Sequence, residues 1–357
     1  MTIVYFISFL IGGILLSLLI NKLLLNFSKT LGIRNKNDVS IRWSNQSKPS
    51  LGGVSFFVVF LFSIFIYNIF SKENTFHNPK IIGLFLSGCI AFAMGLADDA
   101  YNTNPLAKLS AQILCGITLV LSSTGIELTH NYWIDSILTI GYVVVLMNSL
   151  NMLDNMDGIT GTTVLFVLIA ALISTFIIKG IENNINTILI ISIIGSLIGF
   201  LYYNINPSKL FMGDAGSQFI ALFVSYVTIH ELWNLGITTN TPSWVGFALC
   251  IVTFTPAAAD TLTVVINRIK AKKSPMVGGK DHTTHHLVYA GLKDKQVWYL
   301  FSIISALSSF LCVLMIYMLV NKSVYPLLFF TLFFFIVFIT LYTITIKFKQ
   351  PSHKNEV

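Results

Sequence analysis

Long apolar runs separated by short polar segments set the plan of this chain. Hydropathy gives apolar spans near 3–25, 51–70, 81–97, 107–124, 134–150, 159–179, 186–204, 216–235, 244–267, 297–320 and 323–346. Most approach the ~20 residues that cross a bilayer as a helix, whereas apolar runs in soluble α/β proteins are strands of about 4–8. The pattern predicts an all-α, polytopic integral membrane protein with about eleven transmembrane helices, forming a single transmembrane domain over residues 1–357. The first span has no basic segment before it and no small-residue cleavage site after it, so it reads as a retained helix and not as a signal peptide.

Composition agrees with this plan. The chain is 55% hydrophobic and only 10% charged, less than half the charged fraction of an average soluble domain. Eighteen of its 22 Lys and Arg fall on the segments of one side; only Lys72, Lys80, Lys179 and Lys322 fall on the other. Cytosolic loops carry the excess of Lys and Arg, which predicts an outside N-terminus and a cytosolic C-terminus in a multi-pass protein of the inner (cytoplasmic) membrane. No basic stretch is interleaved with aromatics on a soluble face, so the net charge of +7 points to membrane lipid and substrate phosphates and not to nucleic acid. Cys89, Cys115, Cys250 and Cys312 are isolated within spans, without a pair suited to zinc or redox chemistry.

Candidate chemistry gathers at the ends of these spans. The chain has 15 acidic residues, and five of them occupy three loop mouths on the predicted cytosolic side: Asp98-Asp99, Asp154 and Asp157 in Asn151–Gly158, and Asp214 in Phe211–Ser217. Ionised Asp98 and Asp99 with oxygens within 4 Å would repel by about 4 kcal/mol at an effective dielectric near 20, which a divalent cation or a proton would relieve. Asn151, Asp154 and Asp157 recur every three residues. A helical continuation of the fifth span would line them on one stripe, with Gly158 able to end it. Such hard oxygen donors suit Mg²⁺, which prefers one or two carboxylates plus waters and phosphates. One Asp at a helix end is ordinarily a cap, but five on one face, with Asp281 and His282, His285 and His286 in the last inner loop, define a candidate site.

With these motifs in order, the chain resembles the polyprenyl-phosphate N-acetylhexosamine-1-phosphate transferases, the superfamily that includes phospho-MurNAc-pentapeptide translocase. The resemblance runs through Lys48–Gly53, Asp98-Asp99 with Lys108 and Gln112, Asn151–Gly158, Asn204, Phe211–Ser217 and the histidine loop. It implies transfer of a sugar 1-phosphate from a UDP-N-acetylhexosamine to undecaprenyl phosphate, with Mg²⁺ (or Mn²⁺) as cofactor and a homodimer as the assembly. Asp214 would be the principal metal ligand with Asp154 beside it, and Asp98 would deprotonate or orient the lipid phosphate. Asp99, Asp154 and Asp157 would complete the polar bed. Asn204 and Phe211 match positions that recognise uracil; Lys48, Lys108, Asn151 and Ser217 match positions near nucleotide or phosphate; and His282, His285 and His286 match the site histidines.

The histidine spacing departs from the family pattern at His282, which favours UDP-GlcNAc as donor and a role in initiating a surface glycan. The pentapeptide translocase is the alternative, and a cation-coupled transporter is the alternative of a different class. Transporters place their carboxylates near the bilayer midplane, where only Asp260 lies, four residues after Pro256. Asp260 is expected to hold a residue of the following basic loop. Arg268, Lys272 and Lys273 read as headgroup anchors or as steering charges. His230, Glu231 and Trp233 read as an outer interfacial belt with a solvated charge. Direct in-line attack by the lipid phosphate needs only orientation and metal; a covalent phospho-aspartate is the other route.

Overall fold

The structure, a computed structural model, describes residues 2–28, 48–71, 75–275, 278–322 and 327–349. Lys29, Arg34, Lys36, Arg42, Lys72 and Lys354, which entered the charge asymmetry, lie outside them. Every regular element among the described residues is helical. In chain order these are α1 (Thr2–Ser28), α2 (Val54–Phe70), α3 (Pro79–Tyr101), α4 (Pro105–Leu121), α5 (Tyr132–Leu153), α6 (Ile159–Lys179), α7 (Ile185–Asn204) and α8 (Gly213–Thr228). After a π-helical turn at Ile229–Trp233 follow α9 (Leu235–Thr239), α10 (Trp244–Thr253), α11 (Thr255–Lys270), α12 (Thr283–Tyr289), α13 (Asp294–Val320) and α14 (Leu327–Lys347).

Among the described residues, eight helices are long and apolar enough to cross a membrane, nine if the bent pair α10–α11 counts as one crossing, and α2 and α4 are shorter apolar helices. Each of the eleven sequence spans thus has a helical counterpart, but the one expected at 244–267 is not a continuous rod. α10 and α11 meet at 84°. The cause is Pro256 in the first turn of α11, which has no N–H to donate and whose ring clashes with the carbonyl four residues back. The Thr255 hydroxyl donates to the Val252 carbonyl at 2.8 Å and satisfies one of the groups at the break.

Asparagine starts four helices. Asn78, Asn104, Asn131 and Asn184 are the N-caps of α3, α4, α5 and α7, and each side chain accepts from a backbone N–H of the first turn. In hydrocarbon or at its edge such orphan N–H groups are costly to leave unmade, so these caps set where the apolar runs become helix. The core follows burial along the spans: 83% of the α7 span and 78% of the α8 span are buried, against 17% for α1 and 22% for α14. α7 and α8 are therefore the centre of the bundle, and the periphery is left to helices that are apolar on all sides. α8 packs so closely on α3 that a Cβ at Gly95 would stand 2.4 Å from the Asp214 carbonyl oxygen.

Glu231 corrects one expectation. It is not a solvated belt charge but is 4% exposed, and both its oxygens accept from Lys179 Nζ, at 2.8 and 2.9 Å. The π-helical turn holds Glu231 in the buried end of the bundle, where a carboxylate requires a paired cation.

Candidate active site

The site begins with a three-residue reversal between α3 and α4. Asn102 takes the left-handed conformation (φ 51°) and Asn104 caps the next helix, whose first residue is Pro105. The turn brings Thr103 back onto Asp98, to whose Oδ1 it donates its N–H at 2.9 Å and its hydroxyl at 2.6 Å. One turn into α4, Lys108 donates from Nζ to Asp98 Oδ2 at 2.9 Å.

The segment before α8 is held by main-chain pairing. Phe211 N–H donates to the Pro49 carbonyl at 2.9 Å, Gly52 N–H to the Phe211 carbonyl at 3.0 Å, and Gly53 N–H to the Met212 carbonyl at 2.9 Å. Two motifs far apart in sequence are thereby fixed to each other. Gly213 has φ +76°, and a Cβ there would lie 2.1 Å from the Ser50 carbonyl oxygen and 2.8 Å from Asp99 Oδ2, so both conformation and space require glycine. Asp99 Oδ2 accepts the Ala215 N–H at 3.0 Å, capping α8 from a neighbouring helix.

These constraints place Asp214 against Lys108, whose Nζ also reaches Asp214 Oδ2 at 3.3 Å and Asn151 Oδ1 at 3.4 Å. Asn151 donates from Nδ2 to Asp214 Oδ1 at 2.6 Å and to Ser217 Oγ at 2.8 Å. Asp98, Asp214, Lys108, Asn151 and Ser217 form one hydrogen-bonded cluster with Asp99 at its edge. Lys108 spends its three donors on it. Two carboxylates on one ammonium, with Asp99 close to Asp214, leave an excess of negative charge and hard oxygen donors, the chemistry that suits a divalent cation. Among the described residues no three His, Cys, Asp or Glu side chains stand together as a metal-holding group, so a cation here would need ligands from water or substrate.

The expected stripe Asn151–Asp154–Asp157 is not formed. α5 ends at Leu153, Asp154 is its C-cap, and Gly158 (φ 78°) starts α6 and does not end α5. The turn sends Asp157 elsewhere. Its Oδ1 accepts from Ser208 Oγ at 2.7 Å, its Oδ2 from Ser208 N–H at 3.1 Å and Asn206 Nδ2 at 3.3 Å, and Lys48 Nζ lies 3.7 Å from Oδ2. Lys48 also donates to Ser208 Oγ at 3.0 Å and sits 5.2 Å above the Phe211 ring. Asn204 is 3% exposed, and its amide is engaged by backbone: Oδ1 accepts the Gly158 N–H at 3.0 Å and Nδ2 donates to the Leu210 carbonyl at 2.9 Å.

The histidine loop joins the same end of the bundle, since Thr284 Oγ1 donates to Asn155 Oδ1 at 2.6 Å. Asp260 holds this loop as expected: it faces His282 Nδ1 at 2.8 Å and accepts Thr283 N–H at 2.8 Å and Thr283 Oγ1 at 2.6 Å. His285 is 2% exposed; burial and then the charge of His282 push it down to about 3. His286 Nδ1 pairs with the Phe348 carbonyl at the end of α14. Arg268 is neither anchor nor steering charge. It is 5% exposed and grips Asp281 through Nε and a terminal nitrogen, at 2.7 Å each, and the Pro275 carbonyl at 2.9 Å. Burial would raise the Asp281 carboxyl, but the Arg268 hydrogen bonds and charge hold it below its ordinary value.

Thr103, Ser208, Asn206 and Asn155 escaped sequence reading. Each is a small polar residue in a turn, and the legible signals are Asn102–Pro105, with its cap and proline, for Thr103 and the Asn206-Pro207 dipeptide for Asn206 and Ser208.

Fold and site together define a polytopic helical membrane protein with a lysine-bridged carboxylate centre where α3, α4, α5 and α8 meet. Residues 81–231 match the family described as glycosyl transferase family 4. The chain is 30% identical over 225 residues to a phospho-N-acetylmuramoyl-pentapeptide-transferase of Dictyoglomus turgidum, covering 59% of this chain and 70% of that protein. It is 26% identical over 278 residues to a probable undecaprenyl-phosphate N-acetylglucosaminyl 1-phosphate transferase of Bacillus subtilis, covering 73% and 72%. To a decaprenyl-phosphate N-acetylglucosaminephosphotransferase of Mycolicibacterium smegmatis it is 23% identical over 271 residues, covering 69% and 66%. The chain belongs to this family of polyprenyl-phosphate sugar-phosphate transferases.

Proposed function

We propose that the protein transfers N-acetylhexosamine 1-phosphate from a UDP-sugar, UDP-GlcNAc in the first instance, to undecaprenyl phosphate. The products are UMP and a polyprenyl diphosphate sugar that begins a surface glycan. One observation carries this reading: Asp98 and Asp214, from two separate helices, share the single ammonium of Lys108, with Asp99 acting on Asp214 beside them. A phosphate attacking a diphosphate brings like charges together, so catalysis rests on positioning and on compensating charge. An oxygen of the lipid phosphate forms the new bond to the sugar-bearing phosphorus while the bridging oxygen leaves with UMP.

In this reading Asp98 orients the lipid phosphate, held by Thr103, and Lys108 supplies positive charge at the reacting phosphates. Mg²⁺, with Mn²⁺ as substitute, would be held by Asp214 with Asp154 nearby and would neutralise diphosphate charge. The donor set fits such an ion, which takes few protein carboxylates and completes its shell with water and phosphate. Phe211 stacks on uracil, and Lys48 beside it meets phosphate. Asn204 serves the uracil pocket by tying the Gly158 and Leu210 backbones together. His285 and His286 line the sugar side, with His282 braced by Asp260. The lysine- and arginine-rich side of the chain supports a site facing the cytosol.

A second reading, phospho-N-acetylmuramoyl-pentapeptide transfer, is favoured by the 30% identical relative of that name. Purified protein with Mg²⁺, undecaprenyl phosphate and a panel of UDP-sugars separates the two by UMP release. UMP with UDP-GlcNAc and not with UDP-MurNAc-pentapeptide is the expected result, abolished by chelation; the reverse preference would establish the second reading. Solute flux without any UMP would defeat both.

A further inference from the structure

A second polar layer lies one helical turn deeper than the Lys108 cluster, and the reading above gives it no task. Gln112 follows Lys108 by four residues on α4, Gln218 follows Asp214 by four on α8, and Asn148 precedes Asn151 by three on α5. These spacings put each amide on the same helix face as its partner in the site. The amides are joined to one another. Gln112 Nε2 donates to Gln218 Oε1 at 3.1 Å, and Asn148 Nδ2 donates to Gln112 Oε1 at 2.7 Å and to the Val144 carbonyl at 2.8 Å. Gln112 and Gln218 are each 1% exposed.

Gln112 and Gln218 are buried and Asn148 is half-buried, and burying such amides among apolar helices is costly unless they pair, which favours the rotation and depth at which the three meet. Apolar packing holds these helices close but is non-directional, whereas a hydrogen bond between amides tolerates only small changes of distance and angle. The layer is also neutral. A charged residue in its place would compete with Asp98 and Asp214 for Lys108, whereas amides fix spacing without adding a field.

We propose that Gln112, Asn148 and Gln218 are positioning residues, whose pairing sets the register of α4, α5 and α8 so that Lys108, Asn151 and Asp214 stay within hydrogen-bonding reach. The kinetic consequence rests on the transferase reading; the geometric one does not.

Gln112→Leu and Gln218→Leu remove the polar atoms at similar volume. With UDP-GlcNAc and undecaprenyl phosphate, kcat falls roughly tenfold to a hundredfold, as a displacement near 1 Å in a reacting constellation would cause, while KM for the UDP-sugar is little changed. The double variant is no worse than the singles, because one missing arm already opens the layer. Independently of turnover, the amine of Lys108 is released from Asp98 and Asp214, and its acylation by a small reagent, read by peptide mass spectrometry, rises several-fold. Thr163→Val, which breaks the distant α6–α13 link between Thr163 and Ser305 (3.0 Å), is the control for lost stability and leaves Lys108 labelling unchanged.

Folded variants with wild-type kcat or wild-type labelling would overturn the proposal, as would a rise in KM at constant kcat. If either Leu variant does not fold, Asn148→Ala, which deletes one arm, is judged by the same criteria. Wild-type protein that releases no UMP from any UDP-sugar refutes the transferase reading alone, and the labelling then decides the positioning role.

Discussion

Two lysine–aspartate groups stand at the same end of this bundle, and they are built on opposite principles. Around Asp157 the account is closed: Ser208 donates twice, Asn206 once, and Lys48 adds its charge, so one carboxylate has three hydrogen bonds and one counter-ion. Around Lys108 it stays open, because one ammonium serves Asp98 and Asp214 with Asp99 close by. The first arrangement latches the loop after α7 to the loop after α5. The second holds an excess of negative charge in place and so has affinity to spare for a cation and its phosphates. The proposed function accordingly places its reacting phosphates at the under-compensated cluster.

The sharpest way to break this contrast is to neutralise one carboxylate in each group. Asp214→Asn or Asp98→Asn should lower kcat by roughly 10²–10³-fold, the scale seen when a preorganised electrostatic group is removed, with a thermal midpoint near that of wild type. Near-normal turnover in either variant would show that the open cluster is not the site. Asp157→Ala should do the reverse, lowering the thermal midpoint by several degrees, as loss of a multiply bonded buried carboxylate costing about 1–3 kcal/mol would, with a smaller change in kcat.

The histidine loop adds a pH arm. His285 is pushed from its ordinary 6.5 down to about 3, so the folded state binds its proton more weakly than the unfolded chain does. Its contribution leaves stability unaffected above about pH 6.5 and lowers it progressively as pH falls from there toward 3. Thermal unfolding followed across that range should show a slope that His285→Gln reduces; an unchanged slope would mean that the ring is solvated. The smallest effect on stability is expected at Lys48→Met, which removes the counter-ion of the closed group but leaves Ser208 and Asn206 on Asp157; the loss of its proposed phosphate contact is read separately, as a rise in KM for the UDP-sugar. A loss of stability of about 1 kcal/mol or less, measured by denaturation, is expected, because a contact at 3.7 Å adds little to a carboxylate that keeps its three hydrogen bonds.

Much of this arrangement was legible in the chain. Apolar run length marks the helices because a bilayer-crossing segment has to satisfy its backbone internally. The Asn caps and the Asn102–Pro105 turn mark their ends because caps are local chemistry. Asp260 could be assigned a partner, since a carboxylate in an apolar run needs one, and the family resemblance pointed to the loop that follows it. The expected stripe through Asn151, Asp154 and Asp157 went wrong at Gly158: its left-handed φ is a property of the packed turn, and the same residue type ends or begins a helix according to what surrounds it. Glu231 reads as a solvated belt charge and Arg268 as a headgroup anchor or steering charge, because exposure is not written in a residue's neighbours along the chain.

The sequence by itself determined the helical class, the approximate span boundaries and the gathering of aspartates at loop mouths, all of which follow from short-range periodicity and local capping. Only the tertiary structure decided which carboxylates share a cation. Lys108 meets Asp214 across 106 positions, and that meeting depends on the close approach of α3 and α8 at Gly95 and on the register of α4, α5 and α8, which are set by packing between segments and leave no mark in any one of them.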